Sequence, residues 1–150
     1  MFTAAIVAVL LAQEPAKKPI ETAHLSVELS AVPLAHGKAT LALDITPKSK
    51  MHVYAPGQDG YIAIALTLVA DPGITAAKAK YPAGEKYVMP ALNETMLVYD
   101  KPFRVTEDVT IKSPAGTSKT IKGSLRYQAC DDQICYLPKT IPVEWTVTVK

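Results

Sequence analysis

Cysteine, glycine and an excess of charge of one sign are all scarce in this chain. The 150 residues contain 2 Cys and 7 Gly, and 16 Lys and Arg against 14 Asp and Glu give a formal net charge of +2. So small a charge argues against the clustered basic surface that binds a phosphate backbone, and we expect no nucleic-acid partner. No stretch is dominated by Gly, Ser or one charge sign, which excludes low-complexity disorder. We expect a single folded domain.

Long apolar runs are also missing. The longest, MFTAAIVAVLLA at residues 1–12, gives way to the polar QEPAKKP, and about 20 apolar residues are needed to span a bilayer. The length of this run and the small Ala12 predict a secretory signal peptide over residues 1–12, although no Lys or Arg precedes it. A buried first strand and a mis-assigned start codon are the alternatives. We then expect a flexible leader over 13–22, a folded domain over 23–150 and a soluble, exported product.

Apolar and polar residues alternate along most of the chain, which is the pattern of strands with one buried face. The runs are Leu25–Leu29, Leu41–Ile45, Ile62–Leu68, Phe103–Val105, Val109–Ile111, Ile121–Tyr127 and Ile141–Val149. Turn-forming segments such as APGQDG and SPAGTS separate them, and no window has a helical period. We therefore predict an all-β fold, an antiparallel immunoglobulin-like β-sandwich of about seven to nine strands. A closed barrel is the alternative architecture.

The two cysteines, Cys130 and Cys135, lie in the segment LRYQACDDQICYLPKT with four residues between them. An even pair of cysteines in an exported chain normally forms a disulfide. So short a ring removes little freedom from the unfolded chain, roughly 2 kcal/mol, and a core of this size needs no covalent staple. In a loop, both sulfurs would also be open to a thiolate. These arguments favour a redox-active disulfide, while a binding module whose disulfide only pins a loop stays open as the alternative.

Charged and aromatic residues surround the pair in the sequence. Asp131 and Asp132 lie between the cysteines and oppose thiolate formation, so we expect ordinary thiols until a partner changes their surroundings. Tyr127 and Tyr136 flank the pair closely. They would either screen the sulfurs from water or serve as one core and one rim aromatic.

Other chemistry is poorly supported by the sequence. The three histidines, His24, His36 and His52, match no zinc-binding spacing, and we expect neither a metal nor a small-molecule cofactor. A cuprous site would need the fold to gather Met51, His52, Met89 and Met96. A Cys–His hydrolase using His52 is disfavoured, because two close cysteines in an oxidising compartment would cross-link before acting as nucleophiles.

The segment YQACDDQICYLPKTI resembles the active-site segment of the N-terminal periplasmic domain of the DsbD thiol:disulfide interchange family. The shared pattern is Tyr-Gln, a small residue, Cys, a short acidic insert, Cys, an aromatic or Leu, and Pro. KSKMHVYAP is similar to the strand after the family's first hairpin, and KYPAGEKYVMPALNETMLVYDKPFRV to the stretch that contains its cap loop. The resemblance covers roughly residues 20–149, and the family's fold is an immunoglobulin-like sandwich.

This resemblance implies a mechanism. Cys130 and Cys135 would receive electrons from a membrane-embedded thiol donor domain and pass them to periplasmic thioredoxin-like proteins. The chain would then be a monomeric, periplasmic component of a protein-disulfide reductase. By the family's pattern, Cys135 would form the mixed disulfide with partners and Cys130 would be the resolving thiol.

The resemblance also implies a cap over the disulfide. Tyr87–Leu92 is the counterpart of the family's cap loop, with Tyr87 or Met89 as the shielding side chain in place of the family's Phe, which is absent here. The best-known members continue into a membrane domain and a thioredoxin domain, whereas this sequence ends at Lys150. We therefore expect separate partner chains, or a longer protein of which this is a fragment.

Overall fold

The computed structural model describes residues 17–150. The predicted signal peptide and residues 13–16 of the predicted leader lie outside this range. Twelve strands and no helix are found within it: β1 Ile20–Glu21, β2 Leu25–Pro33, β3 Lys38–Pro47, β4 His52–Tyr54, β5 Ala65–Leu68, β6 Ile74–Ala76, β7 Glu85–Met89, β8 Glu94–Tyr99, β9 Phe103–Ile111, β10 Ser118–Tyr127, β11 Ala129–Cys130 and β12 Lys139–Thr148. Nowhere in residues 17–150 is there a helix with the length and hydropathy needed to cross a bilayer.

The strands form three open sheets in which neighbours run antiparallel. Their orders are β1-β2-β3-β9-β6, β12-β10-β5 and β11-β4-β8-β7. The predicted all-β, immunoglobulin-like sandwich is confirmed, and the alternative of a closed barrel is not observed in the described residues.

Alternation of buried and exposed residues builds the main core, as the sequence predicts. In β12, Val143, Trp145 and Val147 are buried while Thr146 and Thr148 are exposed. The Trp145 indole donates a hydrogen bond to the carbonyl oxygen of Ala42 in β3, 3.2 Å away, and so joins the three-stranded sheet to the five-stranded sheet. We call the buried Leu, Val and Ile residues between these sheets, together with Trp145, Tyr99 and Tyr127, the sandwich core.

Two details of the predicted strands differ from the structure. Twelve strands are present instead of about seven to nine, because β1, β4, β6 and β11 have only two or three residues and cannot display an alternation. The predicted strand Ile62–Leu68 is wrong in its first half, since β5 begins only at Ala65. The Ile62 amide donates to the Gln128 side chain, and the Ile64 amide to the Tyr54 carbonyl, so no regular ladder forms there.

The ordered sheet begins before residue 23. Ile20 and Glu21 form β1 and pair with Val27 and Ser26 of β2. Three residues earlier, the Lys17 ammonium donates to the Glu144 carbonyl, 2.9 Å away. Residues 17–21 therefore contact the sandwich, while the division of the chain into peptide, leader and domain stays a prediction.

The chain crosses between sheets immediately before the first cysteine. β10 pairs with β5 and β12, and after Gln128 the chain continues as β11, which pairs with β4 in the four-stranded sheet. The Gln128 side chain secures this crossing by accepting from the Ile62 amide and donating to the Tyr136 carbonyl, both at 3.2 Å. Cys130 is thereby held in the four-stranded sheet, opposite His52.

Candidate redox site

Cys130 and Cys135 form a disulfide, and no cysteine remains free. The two residues face each other in an antiparallel bridge, with Cα atoms 4.0 Å apart. Residues 131–134, here called the redox loop, are closed by a hydrogen bond from the Asp131 amide to the Ile134 carbonyl at 2.9 Å. Cys130 is 0% exposed, whereas Cys135 is partly exposed. A thiolate from solvent therefore meets Cys135 first, and the expectation that both sulfurs are open is wrong for Cys130, which lies in β11 and not in the loop.

The Asp131 carboxylate organises the redox loop. One oxygen accepts from the amides of Gln133 and Ile134, both at 2.8 Å, and the other accepts from the Tyr136 hydroxyl at 2.8 Å. These bonds, led by those to the backbone, lower the pKa of Asp131 below its ordinary value. The carboxylate is thus ionised, and its hydrogen bonds fix the conformation of the redox loop.

The Tyr54 hydroxyl lies between the two sulfurs. Its oxygen is 3.0 Å from Cys130 Sγ and 3.2 Å from Cys135 Sγ. Because disulfide sulfurs carry no hydrogen, the hydroxyl is the donor. Burial, with smaller contributions from Tyr61 and Glu94, raises the pKa of Tyr54 to about 12. The phenol therefore keeps its proton and can donate to whichever sulfur becomes a thiolate.

A small group of buried side chains surrounds this hydroxyl. Its buried members are Tyr54, Met89, Met96, Val98 and Cys130, and Tyr61, Tyr87 and Cys135 pack against them. We call this set the disulfide cluster. The ring of Tyr61 stacks on that of Tyr54 at 4.5 Å, and its hydroxyl donates to Glu94 at 3.2 Å.

Strands β7 and β8 and their connecting turn form a hairpin beside the disulfide, here called the cap hairpin. The Tyr87 hydroxyl donates to Asp132 in the redox loop at 2.6 Å, and this bond is the main cause of the raised pKa of Tyr87. Met89 is buried in the disulfide cluster. Leu92 is half exposed in the turn. Of the three side chains expected in the cap, Tyr87 and Met89 therefore reach the cluster, and both belong to a strand instead of a loop.

Two buried histidines lie under the tyrosines of the site. The ring of His52 packs on Tyr87 at 4.5 Å, and the ring of His24 packs on Tyr136 at 4.6 Å. His52 Nε2 and His24 Nδ1 are buried without a hydrogen-bond partner among the described residues. Burial is the main cause that lowers the pKa of each, so both imidazoles are neutral at pH 7.

The sequence matches a known family over most of its length. The match, to the family described as "Thiol:disulfide interchange protein DsbD, N-terminal", covers residues 17–145. This chain belongs to the DsbD N-terminal family. The resemblance seen in the sequence is thereby confirmed.

Solved structures agree with this membership at the level of the fold. The N-terminal periplasmic domain of ScsB from Proteus mirabilis superposes with a TM-score of 0.60 at 13% identity, covering 82% of this chain and 46% of that one. This chain thus spans about half the length of that ScsB domain. The complex between the DsbD N-terminal and PilB N-terminal domains from Neisseria meningitidis gives a TM-score of 0.52 at 15% identity and 80% coverage of both chains. No curated protein matches the sequence.

The two tyrosines that flank the redox pair take the second of the two roles expected for them, one core and one rim aromatic, so Tyr127 lies away from the pair. Tyr127 belongs to the sandwich core, and its hydroxyl donates to Thr22 at 3.0 Å. Tyr136, Asp131 and Asp132 do lie beside the disulfide, as described above. Within residues 17–150, no three or more His, Cys, Asp or Glu side chains converge as a metal site.

The sequence interpretation did not assign a role to Tyr54, and it considered His52 only for chemistry that it disfavoured. A signal was present, because the strand HVY places His52 and Tyr54 on one face of β4. Both side chains are buried there, and each carries a polar group that needs a partner. Their role depends on the pairing of β4 with β11, which brings that face to Cys130.

Proposed function

We propose that this domain exchanges thiols and disulfides in the periplasm, relaying electrons through Cys130 and Cys135. The donor would be a membrane-embedded thiol domain, and the acceptors would be thioredoxin-like proteins. The observation that carries the proposal is a disulfide between cysteines five residues apart, in a member of the DsbD N-terminal family. One cysteine is buried and the other partly exposed, and both sulfurs lie within hydrogen-bond distance of a buried tyrosine hydroxyl. The ScsB domain from Proteus mirabilis that shares this fold is a periplasmic domain, which supports the compartment.

Reduction of the domain would proceed in two exchanges. A donor thiolate attacks Cys135 Sγ, the disulfide breaks, and Cys130 departs as a thiolate with the bonding electron pair. The Tyr54 hydroxyl, 3.0 Å away, donates a hydrogen bond to that leaving sulfur. The donor's second thiolate then attacks the donor sulfur of the mixed disulfide. This forms the donor's disulfide and releases Cys135 as a thiolate. With two protons taken up, the domain has gained two electrons and the donor holds the disulfide.

Delivery would run through the same bonds in reverse. The Cys135 thiolate attacks the disulfide of an oxidised acceptor and forms a mixed disulfide. Cys130 then attacks Cys135 Sγ, restores the intramolecular bond and releases the reduced acceptor. The burial of Cys130 and partial exposure of Cys135 support these roles, because only the outer sulfur can meet a partner without rearrangement of the core.

An apolar rim beside the disulfide supports a protein partner. Ile134 in the redox loop is 54% exposed and Leu137, two residues after Cys135, is 86% exposed. Burying such side chains favours association. The DsbD N-terminal domain of Neisseria meningitidis is known in complex with the PilB N-terminal domain, which supports protein partners for this family member too.

Trapping the mixed disulfide tests the proposal. Cys130→Ser leaves Cys135 without a resolving thiol. A thioredoxin-like protein whose own second cysteine is replaced by Ser, supplied as the mixed disulfide of its remaining cysteine with glutathione, should exchange glutathione for Cys135 and run as a heterodimer on a non-reducing gel. Cys135→Ser is the matched control, with one cysteine left but buried, and it should give little adduct. If neither folded variant forms an adduct, the domain is instead an immunoglobulin-like binding module with a structural disulfide.

A further inference from the structure

The resolving step needs a proton acceptor close to Cys130. When Cys130 attacks Cys135 Sγ in a mixed disulfide, it must lose its proton, because the thiolate is the nucleophile. Cys130 is fully buried, and burial in apolar surroundings disfavours a thiolate. A base inside the protein, beside this sulfur, would remove the obstacle.

The phenol and the carboxylates beside the disulfide are poorly suited to this task. Tyr54 keeps its proton and acts as a donor to the sulfurs. Asp131 accepts three hydrogen bonds that lower its pKa, so it is a weak base. Asp132 is exposed and accepts from the Tyr87 hydroxyl at 2.6 Å. None of the three offers a buried basic atom.

His52 does offer one. It lies in β4 directly opposite Cys130 of β11 in the antiparallel ladder. Side chains of such a pair share one face of the sheet, with Cβ atoms about 4.5–5.5 Å apart. His52 is 2% exposed, and burial lowers its pKa, so the imidazole is neutral at pH 7. A neutral imidazole carries one basic nitrogen.

The oxidation state of the pair explains why this imidazole lacks a partner. His52 Nε2 is buried with no hydrogen-bond partner among the described residues, a condition that is rare in folded proteins. The structure holds Cys130 as a disulfide, whose sulfurs carry no hydrogen to donate. Reduction turns Cys130 into a thiol, which supplies the missing donor across the ladder.

The charges around His52 favour an imidazolium. Three carboxylates act to raise its pKa against the larger effect of burial, and they are those of Asp132, Asp100 and Asp131. The other titratable groups that face it are Cys130 on β11 and the phenols Tyr54 and Tyr87, whose rings lie 6.3 and 4.5 Å from its own. Proton uptake by His52 is thus opposed by burial and favoured by the neighbouring charges.

His24 has the opposite electrostatic surroundings. It too is buried, with Nδ1 unpartnered among the described residues, and it packs on Tyr136. Lys139 and Lys48 add to burial in lowering its pKa. Both burial and neighbouring charge therefore oppose protonation of His24, which makes it a control of the same chemistry.

We propose that His52 is the general base of the resolving step and takes the proton of the Cys130 thiol on Nε2 as this sulfur attacks Cys135. The Cys130–Cys135 bond forms while the bond from Cys135 to the acceptor sulfur breaks, and that sulfur departs with the bonding electron pair. The imidazolium then gives its proton to the departing thiolate or to water. The acceptor is reduced, the domain is oxidised and His52 is neutral again. This base rests on the proposed function, because it serves the same exchange.

Dithiobis(nitrobenzoate), a disulfide whose product thiolate is yellow, separates the two steps without a protein partner. Added in equal amount to the reduced domain, it releases one thiolate when Cys135 attacks and a second when Cys130 resolves the mixed disulfide. Stopped-flow absorbance follows both phases. In His52→Phe, which keeps a ring on Tyr87, we expect the second phase to slow about a hundredfold at pH 7, the lower end of what a general base contributes. The first phase should be unchanged.

The pH profile of the second phase distinguishes a base from a ring that only packs. In the parent the rate should be nearly flat wherever His52 is neutral, because the imidazole removes the proton. In His52→Phe it should rise about tenfold per pH unit, because only the free thiolate attacks. The two proteins should converge at alkaline pH, where the thiolate forms unaided.

Two further variants complete the test. His24→Phe is the matched control and should keep the parent's second phase and its pH profile. His52→Gln has a polar side chain but no base, so it should also lose the flat profile, which keeps the test valid if phenylalanine disturbs the fold. The proposal is overturned if both His52 variants resolve at the parent's rate, if they are slower with the parent's pH profile, or if His24→Phe slows the second phase equally.

These outcomes are separate from those of the proposed function. If Cys130→Ser traps no thioredoxin-like partner while the second phase depends on His52, the base serves a disulfide with another role. If the adduct forms and the second phase does not depend on His52, the exchange function stands and the base is rejected.

Discussion

The sandwich core and the disulfide cluster are built from different materials. The sandwich core consists mainly of Leu, Val and Ile side chains from the long strands β2, β3, β9, β10 and β12. The disulfide cluster consists of Tyr, Met, Val and Cys side chains, mostly from β4, β7, β8 and β11. Aliphatic packing makes up most of the contact between the sheets, with the Trp145–Ala42 hydrogen bond as a polar addition. In the disulfide cluster, by contrast, the tyrosine hydroxyls donate hydrogen bonds to the cysteine sulfurs and to the carboxylates of Glu94 and Asp132.

This contrast implies a division of labour. Substitutions in the sandwich core should lower stability without altering the chemistry of the disulfide. Those in the disulfide cluster should alter exchange more than they alter stability. The predictions below test that division, beginning with the largest effect.

Leu43→Ala removes a fully buried side chain of β3 from the sandwich core. Because the cavity can collapse only partly, we expect the oxidised protein to lose about 3 kcal/mol of unfolding free energy. Its reduction potential should stay within about 30 mV of the parent value. Urea unfolding and equilibration with glutathione buffers measure the two quantities. A potential that moves further would mean that the two regions are coupled.

Tyr54→Phe removes the hydroxyl that lies between the sulfurs. We expect reduction by dithiothreitol to slow about tenfold, because the departing Cys130 thiolate loses a charge-assisted hydrogen bond. Stopped-flow kinetics give the rate. Tyr127→Phe is the matched control, since it also loses a hydroxyl, but one that bonds Thr22 in the sandwich core. Equal slowing in both variants would contradict the division.

The smallest predicted effect concerns the pH dependence of the redox loop. Hydrogen bonds depress the pKa of Asp131 in the folded protein. Its ionised form therefore stabilises the fold above the unfolded pKa, about 4, and this contribution disappears as the pH falls through the lower folded value. The melting temperatures of the parent and Asp131→Asn should differ at pH 7 and converge towards pH 2. A constant difference would show that the charge of Asp131 is irrelevant.

The part of the fold that the sequence predicts is the part built on alternation. Val143, Trp145 and Val147 occupy one face of β12 and are buried, because every second residue of a long strand faces the same way. The strand β4 is too short for this, and Ile62 finds a side-chain partner in place of a ladder. Such elements are defined by tertiary contacts and leave no period in the sequence.

The same limit applies to the site. The spacing of Cys130 and Cys135 is local and predicts their disulfide, but Tyr54 reaches the sulfurs across 76 residues of sequence. Proximity in sequence also misleads, since Tyr127 is three residues before Cys130 and yet lies in the sandwich core. The chain changes sheets at Gln128, between the two residues. Tyr127, before that crossing, enters the sandwich core, whereas Cys130, after it, enters the disulfide cluster.

The reduction potential of the Cys130–Cys135 pair tests the central claim most directly. The purified domain would be equilibrated in graded thiol/disulfide buffers, and its free thiols counted by alkylation and mass spectrometry. A pair that relays electrons should have a midpoint between about −180 and −270 mV, the range of exchange catalysts. A midpoint below about −300 mV would mark a structural disulfide and contradict the account.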